Sequence, residues 1–154
     1  NTAQVTPGRV QLMSAGTGVR HSEFNPSDKT TTHLLQIWFL PRSAGGSPNY
    51  QEMTFTETDR ANRLKLLADP KGSDGAMTIR QDVRIYTATL AKGKQLALPL
   101  AAKQGGWLQL VRGALSLEPG QVKLSPGDGF SCEGEPALAA KATADSEFLW
   151  FVFD

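Results

Sequence analysis

Glycine and proline interrupt this chain at short intervals, 15 and 9 of them in 154 residues, and this spacing limits the fold more than any other feature. A glycine costs about 1 kcal/mol and a proline about 3 kcal/mol inside a helix, so helices of ordinary length do not survive such punctuation. The runs between the breaks are short, alternate apolar with polar residues and are rich in β-formers, which is the pattern of half-buried strands. Strands are expected at Val10–Met13, Leu34–Leu40, Gln51–Phe55, Ala76–Ile79, Val83–Leu90, Gln95–Leu100, Gln121–Leu124 and Glu147–Phe153. Gln109–Arg112 and Ala114–Leu117 alternate on either side of Gly113 and predict a hairpin, with Glu118-Pro119-Gly120 as a following turn. Only Thr58–Leu67 approaches helical spacing, enough for a short helical turn. So many short strands must close or stack to hide their edges, so the expected fold is all-β, a barrel or jelly roll.

A chain of this length buries about 70% of its unfolded surface and needs no staple. The single Cys132 could not supply one, since it has no partner for a bridge. Net charge is +1 and the basic residues are scattered, which argues against nucleic acid as a partner. No run is apolar enough to span a membrane and no export pattern opens the chain, so a cytoplasmic location is expected. Arg42–Asn49 is a polar, Gly-rich break after the most apolar run, Leu34–Leu40, with the composition of a loop or a linker.

Residues 14–25 are where small residues, an imidazole and a carboxylate converge. On a strand, His21 and Glu23 point to one face, and a His plus a carboxylate suits iron, manganese, nickel or zinc. A half-exposed His–Glu pair at a strand end has the same spacing. Gly16 and Gly18 permit a turn that aims the following residues inward, or a plain β-turn. His33 reads as a strand-entry histidine bonded to backbone, with approach to a site as the alternative. Gln36 and Trp38 share a face and are expected inside a barrel, Gln36 bonded to a neighbouring strand. Cys132 has no basic neighbour to activate it and reads as a small packing residue. Serine-nucleophile, P-loop and dinucleotide patterns are absent; Gly16-Thr17-Gly18 has His21 where a third glycine belongs. Glu57 and Asp59 lie in polar surroundings and read as solvated.

The run Ala15-Gly16-Thr17-Gly18-Val19-Arg20-His21-Ser22-Glu23 resembles the A-G-x-G-x-x-H-S-E segment of the pirin family, bicupins that include bacterial quercetin 2,3-dioxygenases. Gln36-Ile37-Trp38 is similar to that family's Q-[LI]-W strand, and Pro48-Asn49-Tyr50-Gln51 to its P-x-Y-[QE] segment. Gly106-Trp107 through Val111-Arg112-Gly113 resembles the central hairpin of its second cupin, and Ser125-Pro126-Gly127-Asp128-Gly129 its P-G-D-G turn. The resemblance covers nearly the whole chain.

It implies a double-stranded β-helix of the cupin class at residues 61–154, preceded over residues 1–60 by remnant strands of a first cupin and a linker. It further implies that His21 and Glu23 are metal ligands, Glu23 also serving as a catalytic base. In pirins the metal is usually iron and an H-x-H pair on an earlier strand completes the site. The chain begins at Asn1, after the point where H-x-H would stand. Metal is therefore expected to bind weakly or not at all here, and this chain to be inactive although its parent resembles a dioxygenase of flavonols such as quercetin. The alternative is a non-catalytic cupin acting through protein contacts in regulation. The second cupin lacks histidines and should be filled by Leu, Trp and Phe side chains. Strands of the first cupin, left without their own partners, should cover that barrel or pair with a second copy as a homodimer.

Overall fold

The computed structural model describes residues 4–135 and 137–154. Among these residues ten strands form two sheets. β1 (Arg9–Ser14) and β2 (Asn49–Thr54) pair antiparallel as a separate two-stranded ribbon. The larger sheet runs β4 (Met77–Thr78), β3 (Lys65–Asp69), β5 (Val83–Leu90), β10 (Ala139–Phe153), β7 (Gly105–Glu118), β8 (Val122–Leu124). β6 (Gln95–Ala97) adds to β10, and β9 (Gly129–Glu133) to β7. Helix is confined to α1 (Glu57–Arg60) and a 3-10 turn at Ser73–Gly75 among the described residues.

The two longest strands organise the rest. β7 and β10 are antiparallel along nearly their full lengths. The late half of β10 also pairs β5, and its early half pairs β6. Their ladder is interrupted between Ala142 and Glu147, where Asp145 and Ser146 stand opposite Gly113. Such a bulge bends the ribbon and strengthens its twist. Buried positions on β7 change phase across it, from Leu108 and Leu110 to Leu115 and Leu117.

Here the structure corrects the expected hairpin: residues 109–117 belong to one strand and the chain does not reverse at Gly113. The phase change that reads as a turn is a bulge, and the φ of +86° at Gly113 serves it. Reversal comes at the turn containing Glu118, Pro119 and Gly120, after which β8 pairs back on β7.

The ribbon wraps a core that contains Leu90, Leu98, Leu108, Leu110, Leu115, Leu117, Phe148 and Trp150, each at most 1% exposed. Burying side chains of this kind contributes about 1.5–3 kcal/mol each. The interior is filled by Leu, Phe and Trp, as expected of the ligand-poor barrel. A second core lies between the outer face of the sheet and the β1–β2 ribbon: Leu67, Ala68, Val83, Ile85 and Phe151 pack with Phe55, Val10, Leu12 and Met53. The ribbon therefore covers the barrel, one of the two fates expected for strands at this end of the chain.

Two further expectations are corrected. Leu34–Leu40 forms no strand. Phe39 rests on Phe151 and Phe153, with ring centroids 6.0 and 6.5 Å apart. Trp38, expected inside a barrel, is 83% exposed. Its apolar character reads as strand, but no described strand offers backbone groups to it, and hydrophobicity alone does not make a ladder. Within Thr58–Leu67 only the first residues are helical, in α1, and Lys65–Leu67 already belong to β3. Arg60 ends α1 buried, its guanidinium 5.3 Å from the centre of the Phe55 ring and paired with Glu57 and Glu147. This ties the connecting segment to β10.

Candidate metal centre

The segment bearing His21 and Glu23 starts from a fixed turn. The Gly18 amide donates to the Ala15 carbonyl at 2.8 Å, and the Thr17 amide to the Gly46 carbonyl at 2.9 Å. A side chain at Gly16 would meet that same carbonyl at 2.3 Å, so the glycine is required by close backbone approach. The chain then runs without regular structure past His21 and Glu23, both exposed.

It is reversed by a polar turn. Asn25 Nδ2 donates to the Thr30 carbonyl at 2.6 Å, and the Ser27 hydroxyl accepts from the Lys29 and Thr30 amides at 3.2 and 2.9 Å. Asn and Ser side chains stabilise turns by such local bonds. The reversal brings residues 34–40 back beside Glu23, and Gln36 Nε2 donates to Glu23 Oε2 at 3.4 Å. Gln36, expected inside a barrel and bonded to a neighbouring strand, is instead exposed and bonded to a carboxylate on a segment that forms no strand.

His21 and Glu23 were expected on a strand; the structure places them on a segment without regular secondary structure. His33 is exposed and likewise outside any strand. Among the described residues no group of three or more His, Cys, Asp or Glu side chains is placed to hold a metal ion. His21 and Glu23 nevertheless have the right donor chemistry, an accessible imidazole nitrogen and a carboxylate whose other contact is a neutral amide donor. They fit two positions of a divalent centre and do not complete one.

Two grooves cross the barrel surface, one of them lined on one side by residues of the 34–40 run. One, of about 290 Å³, lies between Leu35, Gln36, Ile37 and Phe39 on one side and Trp107, Gln109, Phe151 and Phe153 on the other. The second, of about 440 Å³, runs past Trp107 and Phe153 to Ser131, Cys132 and Glu133. Trp107, shared by both and 40% exposed, was not singled out for this role from the sequence. Its signal was its phase on β7, opposite to Leu108 and Leu110. Burial first, and the charge of Glu135 second, push the Cys132 thiol up from its ordinary value, which agrees with an inert packing residue.

Comparison with known proteins gives the family. Residues 1–39 match the pirin profile, and residues 66–152 match that of the quercetinase C-terminal cupin domain. The chain belongs to the pirin family. Its all-β barrel is accordingly a cupin double-stranded β-helix. This pirin is 38% identical over 151 residues to the quercetin 2,3-dioxygenase of Escherichia coli K12, covering 98% of the chain and 63% of the relative. It is also 38% identical to a putative quercetin 2,3-dioxygenase of Pasteurella multocida over 153 residues, or 98% of the chain and 64% of the relative. The crystal structure of YhhW from Escherichia coli superposes with a TM-score of 0.90 at 38% identity, over 100% of the chain and 64% of YhhW. A structure of the same bacterial pirin in complex with nickel(II) gives 0.89 at 37% identity, over 99% of the chain and 64% of that protein. The pirin chain thus spans a little under two thirds of the length of these relatives. No helix among its described residues is long and apolar enough to cross a membrane.

Proposed function

We propose that this pirin serves metal-dependent dioxygenation of a flavonol-like small molecule in the cytoplasm, with iron as the metal and His21 and Glu23 as two of its protein ligands. The observation that carries this reading is the pairing of Glu23 with Gln36, two residues beyond the exposed His21, in a chain 38% identical to a quercetin 2,3-dioxygenase. A bound divalent metal would supply Lewis-acid and redox chemistry toward oxygen and an enolic hydroxyl. The imidazole of His21 would bind through a ring nitrogen and Glu23 through its carboxylate. Glu23 is also the base, accepting the substrate's hydroxyl proton on a carboxylate oxygen.

Two side chains are too few to keep a metal through turnover. Residues 1–154 alone are therefore expected to carry less than one metal per chain and to leave quercetin unchanged, the remaining ligands coming from outside this segment. Metal analysis, nickel titration and oxygen uptake with quercetin test this, with His21→Ala and Glu23→Gln as variants. Both should lose the residual binding; nickel affinity unchanged in both would remove these residues from the site, and full metal with turnover would refute the incomplete centre.

A second reading, a non-catalytic cupin acting through protein contacts in regulation or as a homodimer, has one observation in its favour. Phe24, Leu34, Trp38 and Leu40 are 78%, 58%, 83% and 87% exposed, an apolar surface of the kind that partners cover. Light scattering at rising concentration tests the homodimer, and a constant monomer mass would exclude it.

A further inference from the structure

We infer that Gln36 is a positioning residue that holds the Glu23 carboxylate for metal binding, and that the outer face of the cupin barrel is what holds Gln36. The inference rests on the reading of His21 and Glu23 as ligands and adds a residue and a load path to it.

Leu35, Gln36, Ile37 and Phe39 line one wall of a groove whose other wall is Trp107, Gln109, Phe151 and Phe153. Phe39 is partly buried in the core that contains Phe151. Seating Leu35, Ile37 and Phe39 on the barrel therefore holds Gln36 at the edge of the same groove, within reach of Glu23. Gln36 is the one polar residue in the run Leu34–Leu40, and its amide nitrogen is 3.4 Å from Glu23 Oε2.

The C-terminal end of the run is also held from the barrel side. Gln81 Nε2 donates to the Leu40 carbonyl at 2.6 Å and the Arg42 amide to the Arg80 carbonyl at 2.8 Å. Glu23, by contrast, sits on an unpaired segment fixed only at its turn. Without Gln36, its carboxylate would have to be ordered by the metal alone. An amide suits this position because it donates a hydrogen bond to one carboxylate oxygen without carrying a charge that would compete with the cation. Partners of this kind, which orient a ligand without touching the metal, change affinity by about 10- to 100-fold when removed. The contact here is long and exposed, so a loss of about tenfold, at the foot of that range, is expected.

The test is nickel(II) titration of residues 1–154 carrying Gln36→Met, which keeps the side chain's length and removes the donor, alongside His21→Ala. The cobalt(II) visible spectrum reports ligand geometry and the thermal midpoint reports folding. Gln36→Met should weaken nickel about tenfold and alter the cobalt bands while the midpoint stays put. If His21→Ala abolishes binding and Gln36→Met matches wild type in affinity and spectrum, Gln36 does not position Glu23. If His21→Ala also binds as wild type does, the ligand assignment itself fails, and the role of Gln36 with it.

Discussion

Replacing Gly113 with alanine tests the bulge on which the barrel's bend depends. Gly113 has a φ of +86°, and a Cβ there would lie 2.2 Å from the Asp145 carbonyl oxygen and 2.5 Å from Ser146 Oγ. The left-handed backbone alone costs an L-residue about 1–2 kcal/mol. The clash adds to it, because the nearest atom is backbone and cannot rotate away. Ser146 Oγ can move only by leaving the Ala114 amide and the Ala144 carbonyl, bonds of 3.0 and 2.7 Å. Overpacking of this kind costs about 1–3 kcal/mol, so the substitution should destabilise by about 4 kcal/mol and lower the Tm by about 8–16 °C in a chain this size. Gly93→Ala is the comparator: its φ is +82°, but nothing lies within 4 Å of the added Cβ. It should cost only the backbone strain, about 1–2 kcal/mol. Urea unfolding and near-UV circular dichroism melts measure both. Equal losses in the two variants would show that close approach of β10 to Gly113 is not what the glycine serves.

Removing the carboxylate in Glu147→Ala leaves Arg60, 8% exposed, with Glu57 as its remaining partner. Breaking a buried pair costs about 3–5 kcal/mol; with Glu57 retained, about 2–3 kcal/mol is expected by urea unfolding, and a loss no larger than that of an exposed surface pair would contradict it. For Asp69, burial alone would raise the carboxyl, but bonds from Ser73 and from the Lys71 and Gly72 amides outweigh it and hold the group below the usual range. A carboxylate depressed in the folded state stabilises above its unfolded pKa of about 3.9, and that contribution is lost as pH falls through the folded value. Asp69→Asn should therefore flatten the loss of stability below about pH 4, and acid unfolding curves parallel to wild type would show that these bonds do not stabilise the ionised form. Cys132, half-buried and with its thiol pushed up, should react slowly with a disulfide reagent in the native protein and at the free-thiol rate in urea; equal rates would mean that it is open to solvent.

Strands whose alternation is complete in themselves were legible in the sequence. β5 matches its expected span because Val83 and Ile85, buried in the outer core, and Ala88 and Leu90, buried in the barrel core, are all supplied by the local run. β3 was absorbed into a helical reading because Leu64, Leu66 and Leu67 satisfy either period over so few residues. β9 was missed because only Phe130 and Cys132 turn inward, between Gly129, Ser131 and Glu133. Leu34–Leu40 failed in the opposite sense: its hydrophobicity was strong, but a strand is a relation between two segments and the second is not written locally. At the site, the residue types and spacing of His21 and Glu23 were readable. The partner of Glu23 was not, since Gln36 reaches it through a turn built by Asn25 and Ser27.

The placement of β10 sets an order on the making of this protein. Of the ten strands it is the last to be synthesised, yet it hydrogen-bonds β5, β6 and β7 and carries Phe148 and Trp150 into the barrel core. Until the ribosome has delivered it, β5 and β7 have no common neighbour and their apolar faces have no lid. Contacts of such long sequence separation slow folding, so the barrel closes late, and the nascent chain before that moment is at its most exposed to aggregation and to chaperones.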